Sequence, residues 1–146
     1  MKVIPLILFH TLFIVFAHFC SSAQKYTPPI SAELDSLGVM KNTEGIVFAV
    51  ISTDSIIKDV KGEKIASIDR NGKLISKDGT ILGGTSQKGD FYNTKNEIEF
   101  IVLPYNNGII YNVYDNTGYH VFTVPSNYKI YAGSLAYILK NILSCK

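Results

Sequence analysis

Asp59-Val60-Lys61-Gly62-Glu63-Lys64-Ile65-Ala66-Ser67-Ile68-Asp69-Arg70-Asn71-Gly72-Lys73-Leu74-Ile75-Ser76-Lys77-Asp78-Gly79-Thr80-Ile81-Leu82-Gly83 alternates short apolar runs with glycine turns. Gly62, Gly72 and Gly79 each follow polar residues whose side chains bond their own backbone, the chemistry of tight turns. Ile65–Ile68, Leu74-Ile75 and Ile81-Leu82 are too short for helices and rich in β-branched residues. The stretch therefore reads as strand, turn, strand, turn, the signature of successive β-hairpins.

The pattern extends in both directions. Turn residues stand at Gly45, Gly62, Gly79 and Asn96, with intervals of 17, 17 and 17 residues. Asn can take the fourth place because it tolerates positive φ next best after Gly. Gly118 follows after 22 residues and Gly133 after 15. The second breakers are Asp54-Ser55, Asn71-Gly72, Lys88-Gly89, Asn106-Asn107-Gly108 and Ser126-Asn127. Apolar pieces flank the turns, among them Ile46–Ile51, Ile98–Leu103, Ile109–Tyr114, Tyr119–Val124 and Tyr128–Tyr131. A fixed period of this length marks a repeat architecture.

The last copy changes period. Leu135, Ile138, Leu139, Ile142 and Leu143 fall at helical spacing. Ser134 reads as the N-cap, so residues 134–144 are expected to form a helix. A sixth strand pair is the alternative there, and a short helix is a weaker expectation around Ser31–Leu37.

Five hairpins supply about ten short antiparallel strands, and closing them into a ring removes exposed edges. About eight strands leave an interior that side chains just fill, so ten need a further filler. An 11-residue helix is roughly 16 Å long and a six-residue strand about 20 Å. The expected fold is all-β: a closed or nearly closed ring of about five hairpin repeats, with a short C-terminal helix plugging or capping it. The domain spans residues 38–144, after a linker at 24–37.

The repeats of Asp59–Gly83 resemble the bacterial β-flower proteins, in which hairpin petals surround a shallow barrel. The resemblance covers roughly Gly38 to Leu143. The architecture also has a distant resemblance to Tubby-like barrels, which enclose a hydrophobic helix and in some members bind phosphoinositides. No motif here matches their binding residues, and none is carried over.

Lys2 precedes an apolar run from Val3 to Phe19, and Ser21-Ser22-Ala23 supplies a small-x-small cleavage site. This reads as a signal peptide cut after Ala23. An uncleaved anchor and a lipid-modified Cys20 are the alternatives; the run is short for a bilayer span, and Phe19 is the wrong residue before a lipidated Cys. Export implies an oxidising compartment, where Cys145 would be the mature chain's lone thiol. The expected location is the periplasm, cell surface or medium.

With 146 residues, 47% hydrophobic and 18% charged side chains and a net charge of +2, the chain is too apolar for disorder. Its charge is too balanced for a nucleic-acid binder.

No residue pattern specifies a reaction. His120 is the one His of the mature chain, with no nucleophile beside it in sequence. One His and one Cys cannot build a zinc site. Asp69-Arg70-Asn71-Gly72 lacks the oxygen run and terminal Glu of a calcium loop. Gly83-Gly84 lacks the Lys and Ser/Thr of a phosphate loop. Glu97 and Glu99 share a strand face but are expected to face solvent. No cofactor, catalytic residue or metal ligand is assigned.

Seven of the nine tyrosines lie between Tyr105 and Tyr137. Tyr105, Tyr111, Tyr114, Tyr119, Tyr128 and Tyr131 form a candidate aromatic face for a glycan, peptide or lipid; sheet packing is the plainer role. Tyr111 and Tyr114 are expected on opposite strand faces, and Tyr128 and Tyr131 likewise. The expected function is an exported, non-catalytic module that binds or structures something at the cell envelope, with envelope lipid, glycan or protein as partner. The alternatives are a lipid or apolar-ligand barrel with the helix as a lid, and a small hydrolase.

Overall fold

The computed structural model describes residues 32–143. The expected leader with its cut after Ala23, Cys20, Cys145 and the linker residues 24–31 lie outside them. The strands are β1 (Ala32–Leu34), β2 (Val39–Asn42), β3 (Val47–Ile51), β4 (Ile56–Asp59), β5 (Lys64–Ile68) and β6 (Lys73–Ser76). They continue as β7 (Ile81–Thr85), β8 (Phe91–Asn93), β9 (Ile98–Tyr105), β10 (Ile110–Asp115) and β11 (His120–Pro125). All eleven close into one barrel, each paired antiparallel with its neighbour in the chain. The seam is the exception: β1 lies parallel to β11, with Ala32 opposite Phe122 and Glu33 opposite Thr123.

Turn chemistry sets this regularity. Asp59 Oδ1 accepts the N–H groups of Lys61 and Glu63, and the Gly62 N–H donates to the Asp59 carbonyl. The same cage recurs on Asp35, Asn42, Asp69, Asn93 and Asp115. Ser52, Ser76 and Ser86 start equivalent turns. The fourth turn residue takes positive φ each time, which explains Gly, with Asn96 and Ser55 as the substitutes. From Asp35 to Asn93 these residues step alternately by 7 and 10, and this alternation is the origin of the 17-residue period.

Each of the five hairpins β2–β3, β4–β5, β6–β7, β8–β9 and β10–β11 also carries a bulge at the same place. Lys41 faces Val47 while Met40 faces Ala49, so Phe48 is the extra residue. Ile65, Leu82, Glu99 and Val121 are its equivalents. One step further inside, Met40, Ile57, Leu74, Phe91 and Val113 form a ring of buried side chains, each at most 1% exposed. Their partners across the strands are Ala49, Ala66, Gly83, Phe100 and Phe122. The hairpins are thus equivalent in turn, bulge and core position.

The chain enters the barrel after β11. Ser126–Tyr131 forms a 3-10 helix at one rim, α1 spans Ala132–Ile138, and a π-helical turn follows at Leu139–Leu143. Ala132, Leu135, Ala136 and Ile138 are all 0% exposed and belong to the barrel core. They pack on β7 to β11. At the opposite rim Lys140 meets Asp115 at 3.6 Å. The plug is therefore the chain's own C-terminal segment, threaded from an upper rim (turns at Gly38, Ser55, Gly72, Gly89 and Gly108) to a lower rim (Gly45, Gly62, Gly79, Asn96 and Gly118).

Several expectations are corrected. The helical segment begins at Ser126, not Ser134, and Tyr128–Tyr131 is 3-10 helix rather than strand. Ser134 is no cap: it lies inside α1, fully buried, and its Oγ has no hydrogen-bond partner among the described residues. Gly133 is a helix residue and not a turn glycine. Of the stretch expected as a linker end or short helix around Ser31–Leu37, Ala32–Leu34 forms β1 and Asp35 opens its turn instead.

Candidate functional site

The six singled-out tyrosines do not form one face. Tyr105, at the upper end of β9, is 60% exposed, and Tyr119, at the lower rim, is 58% exposed. Tyr114 lies on the outer wall. Tyr111 packs on the core beneath Lys129, whose Nζ stands 5.2 Å from the ring centroid. Tyr128 and Tyr131, one 3-10 turn apart, share a face with ring centroids 6.3 Å apart. The Tyr131 hydroxyl meets Ser55 Oγ at 3.3 Å across the upper rim.

That contact borders the largest cleft described, about 700 Å³, at the upper rim. Three turns related by the 17-residue repeat wall it: Ser52–Ser55, Asp69–Gly72 and Ser86–Gly89. Arg70, Asn71, Gln87, Asp54 and Asp69 line it, with Tyr131 on the helix side. Arg70 is the chain's one arginine and has no ion-pair partner among the described residues. Asp69 Oδ1 is committed to its turn, while Oδ2 accepts no hydrogen bond among the described residues. Asp54 accepts the Ser52 hydroxyl, and that bond holds its carboxyl below the ordinary aspartate range.

The outer wall holds a polar cluster that the sequence hid. The bulge at Val121 turns both Val121 and Phe122 inward, which puts His120 and Thr123 on one outer face. Thr123 Oγ1 donates to Asn112 Oδ1 at 3.1 Å, and His120 Nε2 lies 3.0 Å from Thr123 Oγ1. Tyr114 meets the imidazole edge-on at 5.6 Å between centroids. Burial lowers the His120 pKa from the ordinary value, against a hydrogen bond at the Phe122 backbone that favours the proton. A hydroxyl does stand beside His120, then, but its proton goes to Asn112, and the clefts of the two rims do not reach it.

At the lower rim Glu97 and Glu99 converge: Asn93 Nδ2 donates to both, at 3.0 and 3.2 Å. They line a cleft of about 220 Å³ with Lys140 and Asn141. Nearby Asp115, 3% exposed, accepts the Thr117 hydroxyl at 2.6 Å and the N–H groups of Thr117 and Tyr119. Burial alone would raise its pKa; those hydrogen bonds and Lys140 outweigh burial and lower it. Among the described residues no three His, Cys, Asp or Glu side chains group as metal ligands. Gly83 and Gly84 lie in β7, where Gly83 leaves room for the Phe91 ring.

No known family model, no curated protein and no solved structure matches this chain.

Proposed function

We propose that the chain is an exported, non-catalytic β-repeat module of the β-flower kind that binds or structures a component of the cell envelope. The observation that carries the reading is the filled interior. The barrel is occupied by α1, which leaves the clefts at the rims and the outer wall as the surfaces available to a partner. The leader-like residues 1–23 support export, and the five equivalent hairpins support the β-flower assignment. The apolar-carrier reading requires α1 to leave the core, where four of its apolar residues are fully buried.

Expression of the full chain in a Gram-negative host tests the reading. The expected product is recovered from the envelope or medium, begins at Gln24 and turns over no ester, glycoside or phosphoester substrate. A full-length product held in the cytoplasm, or turnover lost in a His120→Ala variant, overturns it.

A hydrolase reading has one observation in its favour, the convergence of Glu97 and Glu99 on Asn93. Glu97 is exposed at the rim, so water is not excluded from the pair. Glycoside turnover that disappears in Glu99→Gln would favour it.

A further inference from the structure

We propose that the upper-rim cleft is a binding site for a short neutral oligosaccharide. The inference rests on the non-catalytic binding reading and names the ligand class. Its first support is the mix of groups. Arg70, Asn71 and Gln87 present planar donors, Asp54 and Asp69 present carboxylate acceptors, and Tyr131 presents an aromatic ring. A sugar offers this pattern's complement: hydroxyls that donate and accept at once, on a ring with an apolar C–H face. Planar side chains with fixed forks hold such hydroxyls in pairs, and an aromatic ring covers the C–H face.

The charge balance selects within the class. Asp54 and Asp69 line the cleft with Arg70, so no excess of positive charge draws an acidic sugar or a phosphate there. A neutral polyol satisfies both signs. A peptide fits less well, since extended peptides add to open strand edges, and the cleft is walled by turns of a closed barrel.

The site is also preorganised. Its three turns are locked by their own side-chain cages, at Asp69 and Ser86 and by the Ser52–Asp54 pair, so little backbone freedom is lost on binding. Thr53, Arg70 and Gln87 occupy the same turn position 17 residues apart, as do Asp54, Asn71 and Lys88. The cleft therefore offers like positions at regular steps, as a ligand of repeating units requires. At about 700 Å³ it is within the range of small-ligand sites.

The test uses the mature chain and six neutral tetrasaccharides: cello-, malto-, xylo-, manno- and galactotetraose and fully N-acetylated chitotetraose. A galacturonic acid tetramer is the acidic arm. Titration is followed by calorimetry and by amide shifts. The expected result is saturable binding of at least one neutral tetrasaccharide, with shifts centred on residues 70–72 and 86–88. Affinity should fall tenfold or more in both Arg70→Ala and Gln87→Ala, exposed turn positions whose loss leaves the melting temperature within a degree or two. Binding of none of the six, binding of the acidic tetramer alone, or binding indifferent to both substitutions overturns the proposal. The export and turnover experiment then still decides the broader reading separately.

Discussion

The Gly133 N–H donates a 3.0 Å hydrogen bond to the carbonyl of Gly89, joining the second residue of the plug helix to a turn of the upper rim. The first N–H groups of a helix have no partner within it, and no side chain caps this one. Ala132 N–H bonds back to the Lys129 carbonyl of the preceding 3-10 turn, and the barrel wall takes the next one, that of Gly133, through backbone alone. Gly89 and Gly133 must both be glycine for the approach. A Cβ on Gly133 would lie 2.5 Å from the Gly89 carbonyl oxygen and 2.8 Å from Phe91 Cβ, and one on Gly89 would run into the Lys129 carbonyl.

Gly133→Ala is therefore expected to destabilise by about 3 kcal/mol or more, as overpacking against backbone does. Gly62→Ala is the control. Gly62 has φ +80 and nothing within 4 Å of an added Cβ, so only about 1 kcal/mol of backbone strain applies. Urea denaturation checks both; equal losses would contradict the glycine contact.

Ser134→Ala separates a cap from a buried hydroxyl. A capping Ser is worth about 1 kcal/mol, so its loss would destabilise. The Oγ buried here without a partner among the described residues predicts the reverse: stability unchanged or raised by up to about 1 kcal/mol. Thermal melts of the two proteins decide between these signs.

Asp115 carries two roles, and Asn42 separates them. Asn42, equally buried, holds the same turn cage with a neutral amide. Asp115→Asn should keep the cage and lose the Lys140 pair, costing about 1 kcal/mol because Lys140 is partly exposed. Asp115→Ala should cost about 2–4 kcal/mol, since the turn N–H groups lose their acceptor too. The Asp115 pKa is lowered on folding, so its contribution is complete above the ordinary aspartate value, near 3.9, and fades as pH falls below it. Denaturation midpoints between pH 2 and 6 should fall less steeply toward acid in Asp115→Asn than in the parent chain.

His120 should titrate below the ordinary histidine value of about 6.5. Its neutral form is favoured by folding, so its contribution to stability is present above that value and is lost as pH falls through the lower, folded one. Proton NMR of the imidazole reads the midpoint directly, and a midpoint above 6.5 would contradict the buried setting beside Tyr114 and Thr123.

Turn glycines made the hairpins legible, because positive φ leaves a mark in composition that packing cannot erase. β1 was not legible: Ala32-Glu33-Leu34 is too short for a periodic signal, although Asp35 and Gly38 repeat the turn that follows it. Tyr128–Tyr131 has strand-like composition, yet it forms a 3-10 turn with Tyr128 and Tyr131 half-buried against the core. The same composition hides the start of the plug. The outer cluster was hidden by the Val121 bulge, since residues three apart on a regular strand face opposite ways. Arg70 and Tyr131 meet at one cleft only because the 3-10 turn brings the helix strand-end across the repeated turns, a closure distant in sequence.

The claim at the centre is that five equivalent hairpins close around their own C-terminal helix as the shared core. Truncation after Tyr131 tests it most directly, with cooperative thermal unfolding followed by circular dichroism. The account predicts loss of the cooperative transition, restored in part when a peptide of residues 132–146 is added. A truncated chain that keeps the parent melting temperature would contradict it.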